Sequence, residues 1–315
     1  MLTFAKYLVY PLVLGGSVYG LWAFLETDLP LGIALLIISA ANIIMVACLE
    51  LILPYDKEWK WWGHRQTIND IFHGLATSEL GPRLASAALM SSVVAFMSVI
   101  AGVSGGGLWP HSCHFSVQLF LAIVIVDFME WGKHWLYHNV SFLWPIHALH
   151  HDMDRLNVTK GMRLHFLEGA VRFVTVTSIL TVLGASPEIL VWYTALLTFN
   201  GSLNHANIDI RLPGFVHYMI QSTQVHRLHH STDRDLGRSN LGSLTTIPDH
   251  LFGTFRDPAK HDHGEMGITD SPMPQNFFLQ LLSPLIWVGL VWCKARNAQH
   301  RRKAAQEIAI ATELG

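Results

Sequence analysis

The chain of 315 residues is rich in apolar side chains and poor in charge. Residues of the AVILMFWYC set make up 51%, charged residues only 14%, and the formal net charge is −2. Soluble proteins carry about 25% charged residues on average, so this composition favours a bilayer protein. It excludes a disordered chain, and the near-neutral charge argues against a broad basic surface for nucleic acid.

The cysteines and histidines narrow the chemistry further. Three cysteines lie far apart and form no CxxC pair, so a zinc ribbon, an iron–sulfur cluster and a disulfide scaffold are poorly supported. The chain contains 19 histidines, and 11 of them fall between His134 and His230. Histidine is therefore the residue type that indicates a functional site.

The first apolar stretches have the length of membrane spans. Residues 7–25 and 29–49 carry no charge, and each is about one bilayer thickness long at ~1.5 Å per helical residue. No small-residue cleavage site follows the first stretch, so we predict a retained helix and no signal peptide. Residues 84–126 lack Asp, Glu, Lys and Arg, and are long enough for two spans joined by a turn at 105–110.

The later apolar stretches are shorter. Residues 115–138 are predicted to form one continuous helix, and residues 173–187 and 189–208 a hairpin that is re-entrant or partly buried. Residues 277–293, interrupted by Pro284, either span the bilayer or lie at its interface. The predicted fold is an all-α polytopic membrane helical bundle, with about four confident transmembrane helices, a shorter hairpin and a cytoplasmic histidine-rich helical cap.

The distribution of Lys and Arg predicts the orientation. The link 26–28 and the turn 103–114 contain neither residue, whereas the segment 51–83 and the tail 294–315 contain several. By the positive-inside rule, the N-terminus, the segments rich in histidine and the tail lie in the cytoplasm. We divide the chain into transmembrane helices (1–126), a histidine-box catalytic region (127–255), and a C-terminal apolar helix with a basic cytoplasmic tail (256–315).

The histidines between 134 and 230 fall into three boxes. His134 and His138 form an HxxxH, and two HxxHH boxes follow, at 147–151 and 226–230. On a helix, residues at i, i+3 and i+4 share a face, so each box can direct imidazoles toward one point. Adjacent histidines diverge by about 100°, so one metal would not easily bind both. The paired HH steps therefore indicate a two-metal centre in which each helix serves both ions.

Residues near the boxes can complete such a site. Glu130 lies one turn before His134, and ligating histidines usually donate their second N–H to a carboxylate. The isolated His165 and His205 are predicted to be further ligands because they lie in the part of the sequence that is rich in histidine. Imidazole ligands suit Zn, Cu, Fe and Ni, and the Glu and Glu-x-x-His pattern of carboxylate-rich di-iron bundles is missing.

The boxes and their flanking residues resemble the fatty acid hydroxylase / sterol desaturase superfamily of membrane histidine-box di-iron enzymes. The resemblance covers residues 127–255, and the N-terminal helices agree with it only in topology. The elements that carry it, besides the three boxes, are Asp127-x-x-Glu130-Trp131, Arg163-Leu-His165-Phe-Leu-Glu168, Asn204-His205, Asp235, Asn240-Leu241-Gly242 and Asp249-His-Leu-Phe-Gly-Thr254.

The resemblance implies a membrane-bound non-haem di-iron oxygenase that uses O2 to hydroxylate, or desaturate, a lipid C–H bond. Two electrons would come from an external cytochrome b5-, ferredoxin- or pterin-type donor, because the chain has no GxGxxG or CxxCH motif. The enzyme would be a multi-pass protein of the bacterial inner membrane, or of the endoplasmic reticulum in a eukaryote. The substrate stays open between a sterol, an acyl chain, an alkylglycerol ether and an aminolipid head group.

The predicted site contains two kinds of residue. Glu130, Asp235, Asn240 and Asp249 are the candidate catalytic residues that would support the ligands, although each could instead be a solvated or capping residue. The predicted metal ligands, for two iron ions, are His134, His138, His147, His150, His151, His165, His205, His226, His229 and His230.

Three other functions compete with this interpretation. A metal transporter or sensor usually has its histidines within the spans near the midplane, whereas these boxes have charged neighbours. A bis-His haem cytochrome needs histidines that face each other across spans, and does not require paired HxxHH boxes. A zinc hydrolase would normally have a carboxylate within the box, as in HExxH, and none of the boxes has one.

Overall fold

The structure is a computed structural model that describes residues 2–87 and 108–290, with residues 92, 95, 96 and 99 between them. Most of the predicted third span, at 84–104, and the tail 294–315 lie outside the described residues. The described part is helical, with three isolated β-bridges. Its helices are α1 (Leu2–Leu25), α2 (Leu31–Ile52), α3 (Thr67–Leu75), α4 (Phe115–Asn139), α5 (Trp144–His151), α6 (Phe166–Leu183), α7 (Pro187–Asn204), α8 (Thr223–His229), α9 (Ile247–Phe252) and α10 (Phe277–Leu281).

Four of the described helices are long and apolar enough to cross a membrane. They are Phe4–Leu25 within α1, and the whole of α2, α4 and α6. This finding confirms the prediction of a helical membrane protein. The helix predicted over 115–138 is continuous, and the side chain of His114 caps its first turn by accepting a hydrogen bond from the backbone N–H of Ser116.

The predicted hairpin consists of α6 and α7, each 18 residues long. Gly184 ends α6 in the left-handed conformation with φ of +88°, and Ser186 caps the first turn of α7. Helix α6 begins at Phe166, seven residues before the apolar stretch predicted from residue 173. The difference arises because Glu168 and Arg172, which interrupt the apolar pattern, are ion-paired within the protein.

Helix α7 holds the bundle together. Its residues Trp192 and Phe199 pack against Leu21 and Ile38 of α1 and α2. The same helix presents Tyr193 to the apolar side chains of α4 and α6. Burial of this kind contributes about 25 cal/mol per Å² of apolar surface. Packing against α7 therefore fixes the positions of α4 and α6.

Two buried carboxylates connect the spans to the loops of the histidine region. Glu50, near the end of α2, accepts hydrogen bonds from the backbone N–H groups of Val158 (2.7 Å) and Asn207 (2.8 Å). Asp127 of α4 accepts from the backbone N–H groups of Leu244 (2.9 Å) and Thr245 (2.6 Å). These contacts satisfy loop amides that would otherwise be buried without a partner, and they fix the loops to the bundle.

The apolar segment predicted over 277–293 is divided into α10 and a second helical stretch over residues 283–290, beyond which the chain is outside the described residues. It lies against α3, where Gln280 Oε1 is 2.9 Å from Nε2 of His73. Among the described residues, this segment does not meet the length and hydropathy of a span.

We expect Glu50→Ala to destabilise the protein, because it leaves the N–H groups of Val158 and Asn207 without an acceptor in a buried position. The cost is about 1–3 kcal/mol of unfolding free energy for each donor. Glu58→Ala, at an exposed position, is the control and should change the unfolding free energy by less than ~0.5 kcal/mol. Denaturant unfolding in detergent micelles measures both, and equal stability of the two variants would contradict the role of Glu50.

Candidate metal centre

Three helices and one helix end bring nine of the predicted histidines together. Helices α4, α5 and α8 supply the boxes, and His205 follows the last residue of α7. The ligand nitrogens form two groups, within each of which all atoms lie within 4.8 Å of one another. The first histidine group is His134, His138, His147, His151 and His229; the second histidine group is His150, His205, His226 and His230.

The adjacent histidines divide between the groups, as the helical angle leads one to expect. His151 belongs to the first group and His150 to the second, while His229 and His230 divide in the opposite order. Within each box, the histidines four residues apart stay together. Helix α5 therefore contributes to both groups, as does α8 with the histidine that follows it, and the geometry agrees with a two-metal centre.

The Nε2 atoms converge inside each group. Nε2 of His147 lies 2.9 Å from that of His134 and 3.2 Å from that of His151. In the second group, Nε2 of His226 lies 3.0 Å from those of both His205 and His230. Nitrogens that bind one metal at ~2.1 Å lie about 3.0 to 4.2 Å apart, so these separations fit metal ligation.

Several rings are oriented from their outer side. Nδ1 of His134 donates to the carbonyl of Leu241 (2.9 Å), and Nδ1 of His229 donates to that of Ser239 (2.9 Å). Because a carbonyl only accepts, these contacts place the ring proton on Nδ1 and leave Nε2 free to bind a metal. The buried Nε2 atoms of His138 and His229 have no hydrogen-bond partner within the described residues.

Burial favours neutral imidazole, which is the form that binds metals. Desolvation, followed by the effect of the neighbouring His147, lowers the pKa of His229 to about 3. Burial also lowers the pKa values of His150 and His226 well below their usual value, and the neighbouring histidines add to the effect. The ligands therefore do not need to lose protons at neutral pH before they bind a metal.

The carboxylate that contacts a histidine of the site is Glu168. Its Oε2 lies 3.0 Å from Nδ1 of His147, and both side chains are buried. The spacing predicts Glu130 for this role, but the partners of Glu130 in the structure are Lys133, Arg172 and Thr175. Glu130 accepts from Lys133 (2.6 Å) and Arg172 (3.3 Å), so its charge is already neutralised. The only sequence signal for Glu168 was its place at the end of the Arg163–Glu168 element.

His165 does not join either histidine group, contrary to the prediction. It precedes α6, where its Nδ1 accepts from the backbone N–H of Leu167 (3.2 Å). Its Nε2 lies 3.0 Å from the carbonyl oxygen of Leu281, to which it can donate. The capping position turns the ring toward the C-terminal segment and away from the other histidines.

The remaining candidate catalytic residues do not contact the histidines of the site directly. Asp235 is exposed, and its backbone N–H donates to Asp233 within the same turn, which agrees with the alternative of a solvated residue. Asn240, with φ of +54°, donates to the carbonyls of Val225 and Arg256 and fixes the loop after α8. Asp249 accepts from the backbone N–H of Leu241, whose carbonyl orients His134.

A cavity of about 100 Å³ adjoins both histidine groups. Besides histidines, its wall contains Glu130, Lys133, Glu168 and Arg172, which carry two charges of each sign. Leu164 and Leu197 also line this cavity. A molecule in the cavity therefore meets charged groups next to the converging imidazoles.

Comparison with known proteins agrees with the site. Residues 119–254 match the sequence model of the fatty acid hydroxylase family. The chain is 30% identical to an ornithine lipid hydroxylase of Rhizobium tropici over 88% of its own length and 83% of that protein. It is 30% identical to the Delta(7)-sterol-C5(6)-desaturase of Nicotiana tabacum over 48% of this chain and 55% of the relative.

A human alkylglycerol monooxygenase is 25% identical over 48% of this chain and 33% of its own length. No solved structure matches the chain. The names of the relatives describe hydroxylation, desaturation and oxygenation of lipids, and nothing among them favours a transporter, a cytochrome or a hydrolase. The resemblance inferred from the histidine boxes is thereby confirmed: the chain belongs to the fatty acid hydroxylase family and is a membrane oxidoreductase.

Proposed function

We propose that the protein binds two irons, one at each histidine group, and uses O2 to hydroxylate a membrane lipid that bears a charged amino-acid head group. The observation that carries this proposal is the convergence of nine histidines, eight of them buried and His134 partly buried, into two adjacent groups. Iron-dependent oxygenation is the chemistry of the family, and imidazole is among the ligands that iron accepts. When bound, the irons would supply the activation of O2 that attack on a C–H bond requires.

The overall reaction fixes what the protein must provide. One O2, two electrons and two protons convert C–H into C–OH and one water. The electrons come from an external one-electron donor, because the chain carries no motif for a redox cofactor of its own. The chain's own part is to orient the substrate, to keep the histidines in place and to exclude bulk water from the cavity.

The charged wall of the cavity favours a polar part of the lipid next to the irons. In the wall, Lys133 and Arg172 pair with Glu130, and Arg172 also pairs with Glu168, so a head group with charges of both signs could exchange its own contacts for those of these pairs. A sterol ring or the middle of an acyl chain has no charged group to offer these side chains. A zwitterionic amino-acid head group matches both signs, and the relative aligned over 83% of its length is an ornithine lipid hydroxylase.

The proposed orientation places the site on the cytoplasmic side of a bacterial inner membrane. Lys and Arg cluster in the segment 51–83 and in the tail, and they are missing from the link 26–28. Reduced electron carriers and protons are available on that side, while the lipid reaches the cavity from the bilayer. A site at the cytoplasmic end of the spans can receive electrons and protons from the cytoplasm and lipid from the bilayer.

Iron content tests the two-metal assignment. The protein as purified should contain about two irons per chain, and His150→Ala, which removes a ligand from the second group alone, should leave about one. His165→Ala is the matched control, because this buried histidine lies outside both groups, and it should keep both irons. Equal iron loss in the two variants, measured by elemental analysis, would refute the assignment of ligands.

A second variant tests the contact between Glu168 and His147. Glu168→Gln removes the charge that holds the ring proton on Nδ1, so the affinity for iron should fall by ~10- to 100-fold. Glu188→Gln, at an exposed position in the first turn of α7, should leave the affinity unchanged. Competition with an iron chelator measures both affinities, and an unaltered value for Glu168→Gln would remove this residue from the site.

Lipid mass spectrometry tests the reaction and its substrate. Cells that make ornithine lipid should gain one oxygen atom on this lipid when they express the chain, but not when they express His226→Ala. Fragmentation should locate the oxygen in the head group. Loss of two hydrogens from a lipid would show a desaturase, and an oxygen on a sterol or on an alkyl ether would show another substrate.

A further inference from the structure

The structure contains an exposed apolar surface that is not part of the four candidate spans. Helix α3 runs through a π-helical turn into helical residues 81–87, and this stretch carries Asp70, Glu79 and Arg83. The segment over 277–290 is divided between two helical stretches, the second of which reaches the end of the described residues. Among the described residues, neither segment meets the length and hydropathy of a span. Both nevertheless expose large apolar side chains, with 48% to 74% of their surface accessible: Ile68, Phe72, Leu75, Phe278, Leu282 and Leu285. We call this surface the apolar face.

The two segments that form the apolar face are joined by buried polar contacts on their inner side. The ring of His73 contacts Gln280 at 2.9 Å, and the Nε2 group of Gln66 donates to the side chain of Gln275 at 2.6 Å. The rings of Phe72 and Phe277 lie 5.6 Å apart. These contacts join the two segments into one folded unit, which presents its apolar side chains on the outside.

This unit is attached to the second histidine box. The buried Arg163 donates to Asp70 of α3 (2.9 Å), to Asp152 (3.0 Å), which directly follows His151, and to the carbonyl of Leu149 (3.1 Å). His165 adds a contact to the carbonyl of Leu281. Helix α5, which supplies histidines to both groups, is therefore held at a fixed position relative to the apolar face.

The surroundings of the apolar face indicate what covers it. Helix α3 continues through a π-helical turn, Ala76–Leu80, into helical residues 81–87. Gly81 there approaches α6 so closely that an added Cβ would lie 2.5 Å from the carbonyl oxygen of Phe166. Because α6 is a candidate span, this contact places the helical stretch after α3 beside the beginning of a segment that lipid surrounds.

Charged and aromatic side chains border the same region. Lys60 and Arg65 precede α3 and are exposed, and Nζ of Lys60 lies 5.6 Å from the ring of Trp62, which is itself 44% exposed. Basic residues beside tryptophan are typical of the level of lipid head groups, where they attract anionic lipids. The apolar face with this border has the two properties of a helix that lies in a membrane surface.

We propose that α3 and the segment 277–290 lie flat in the leaflet on the histidine side, with the apolar face among the acyl chains and with Lys60 and Arg65 at the phosphates. Through Arg163, this contact sets the depth of the histidine groups, which then lie at the level of the head groups. The proposal concerns the membrane contact of the chain, and it does not depend on the metal or on the reaction.

Spin labels at single cysteines test the proposal in the full chain. A variant with Cys48, Cys113 and Cys293 replaced by serine is reconstituted into vesicles of phosphatidylcholine and phosphatidylglycerol. Labels are placed at Phe72→Cys and Leu282→Cys, with Asp262→Cys as an exposed, polar control position. Labels in the acyl region should collide several-fold more often with O2 than with a water-soluble nickel chelate, and the control should show the reverse preference.

Two results would overturn the proposal. Ready collision of the labels at 72 and 282 with the nickel chelate would show that the apolar face is in water. Shielding from both O2 and the chelate would show that a second copy of the chain or another protein covers it. If a label at 72 or 282 prevents folding, Leu285→Cys replaces it, because this side chain is 74% exposed and contributes little to the interior.

Discussion

The structure depends on keeping nine imidazoles together with their ligand nitrogens facing one another. Lone pairs that converge without a cation are unfavourable, and so are buried ring N–H groups without an acceptor. Outer contacts restrain several of the rings: the carbonyls of Leu241 and Ser239 for two of them and the carboxylate of Glu168 for a third. Contacts elsewhere in the chain hold the backbone that carries these carbonyls and the carboxylate in place.

Buried carboxylates, two of them on spanning helices and one on the short helix α9, fix the loops. Glu50 and Asp127 accept backbone N–H groups from loops, and Asp249 accepts from the residue that orients His134. Such bonds act on the backbone, so they define the path of the loop whatever side chains it carries. A region made of short helices can in this way be as well ordered as the bundle beneath it.

The sequence predicted most of what depends on local spacing. The pairs four residues apart stayed in one group, and the adjacent histidines divided, because both follow from the helical period. The sequence did not predict contacts that depend on residues distant in the chain. Glu130 has the right spacing from His134, but it forms ion pairs with Lys133 and Arg172. His165 caps the first turn of α6, and its ring therefore points away from the other histidines. Helical spacing shows which side chains share a face of a helix. The residues that these side chains contact belong to elements distant in the chain.

The equal numbers of positive and negative side chains in the cavity wall affect how a substrate finds the site. Opposite charges a few ångströms apart produce a field that decays steeply, so Glu130, Lys133, Glu168 and Arg172 exert little attraction on a lipid that is still diffusing in the bilayer. On the proposed function, arrival would be governed by the abundance of each lipid, and discrimination would begin only after entry, when a head group exchanges its own contacts for those of the wall. Selectivity would thus appear in residence time more than in the rate of capture.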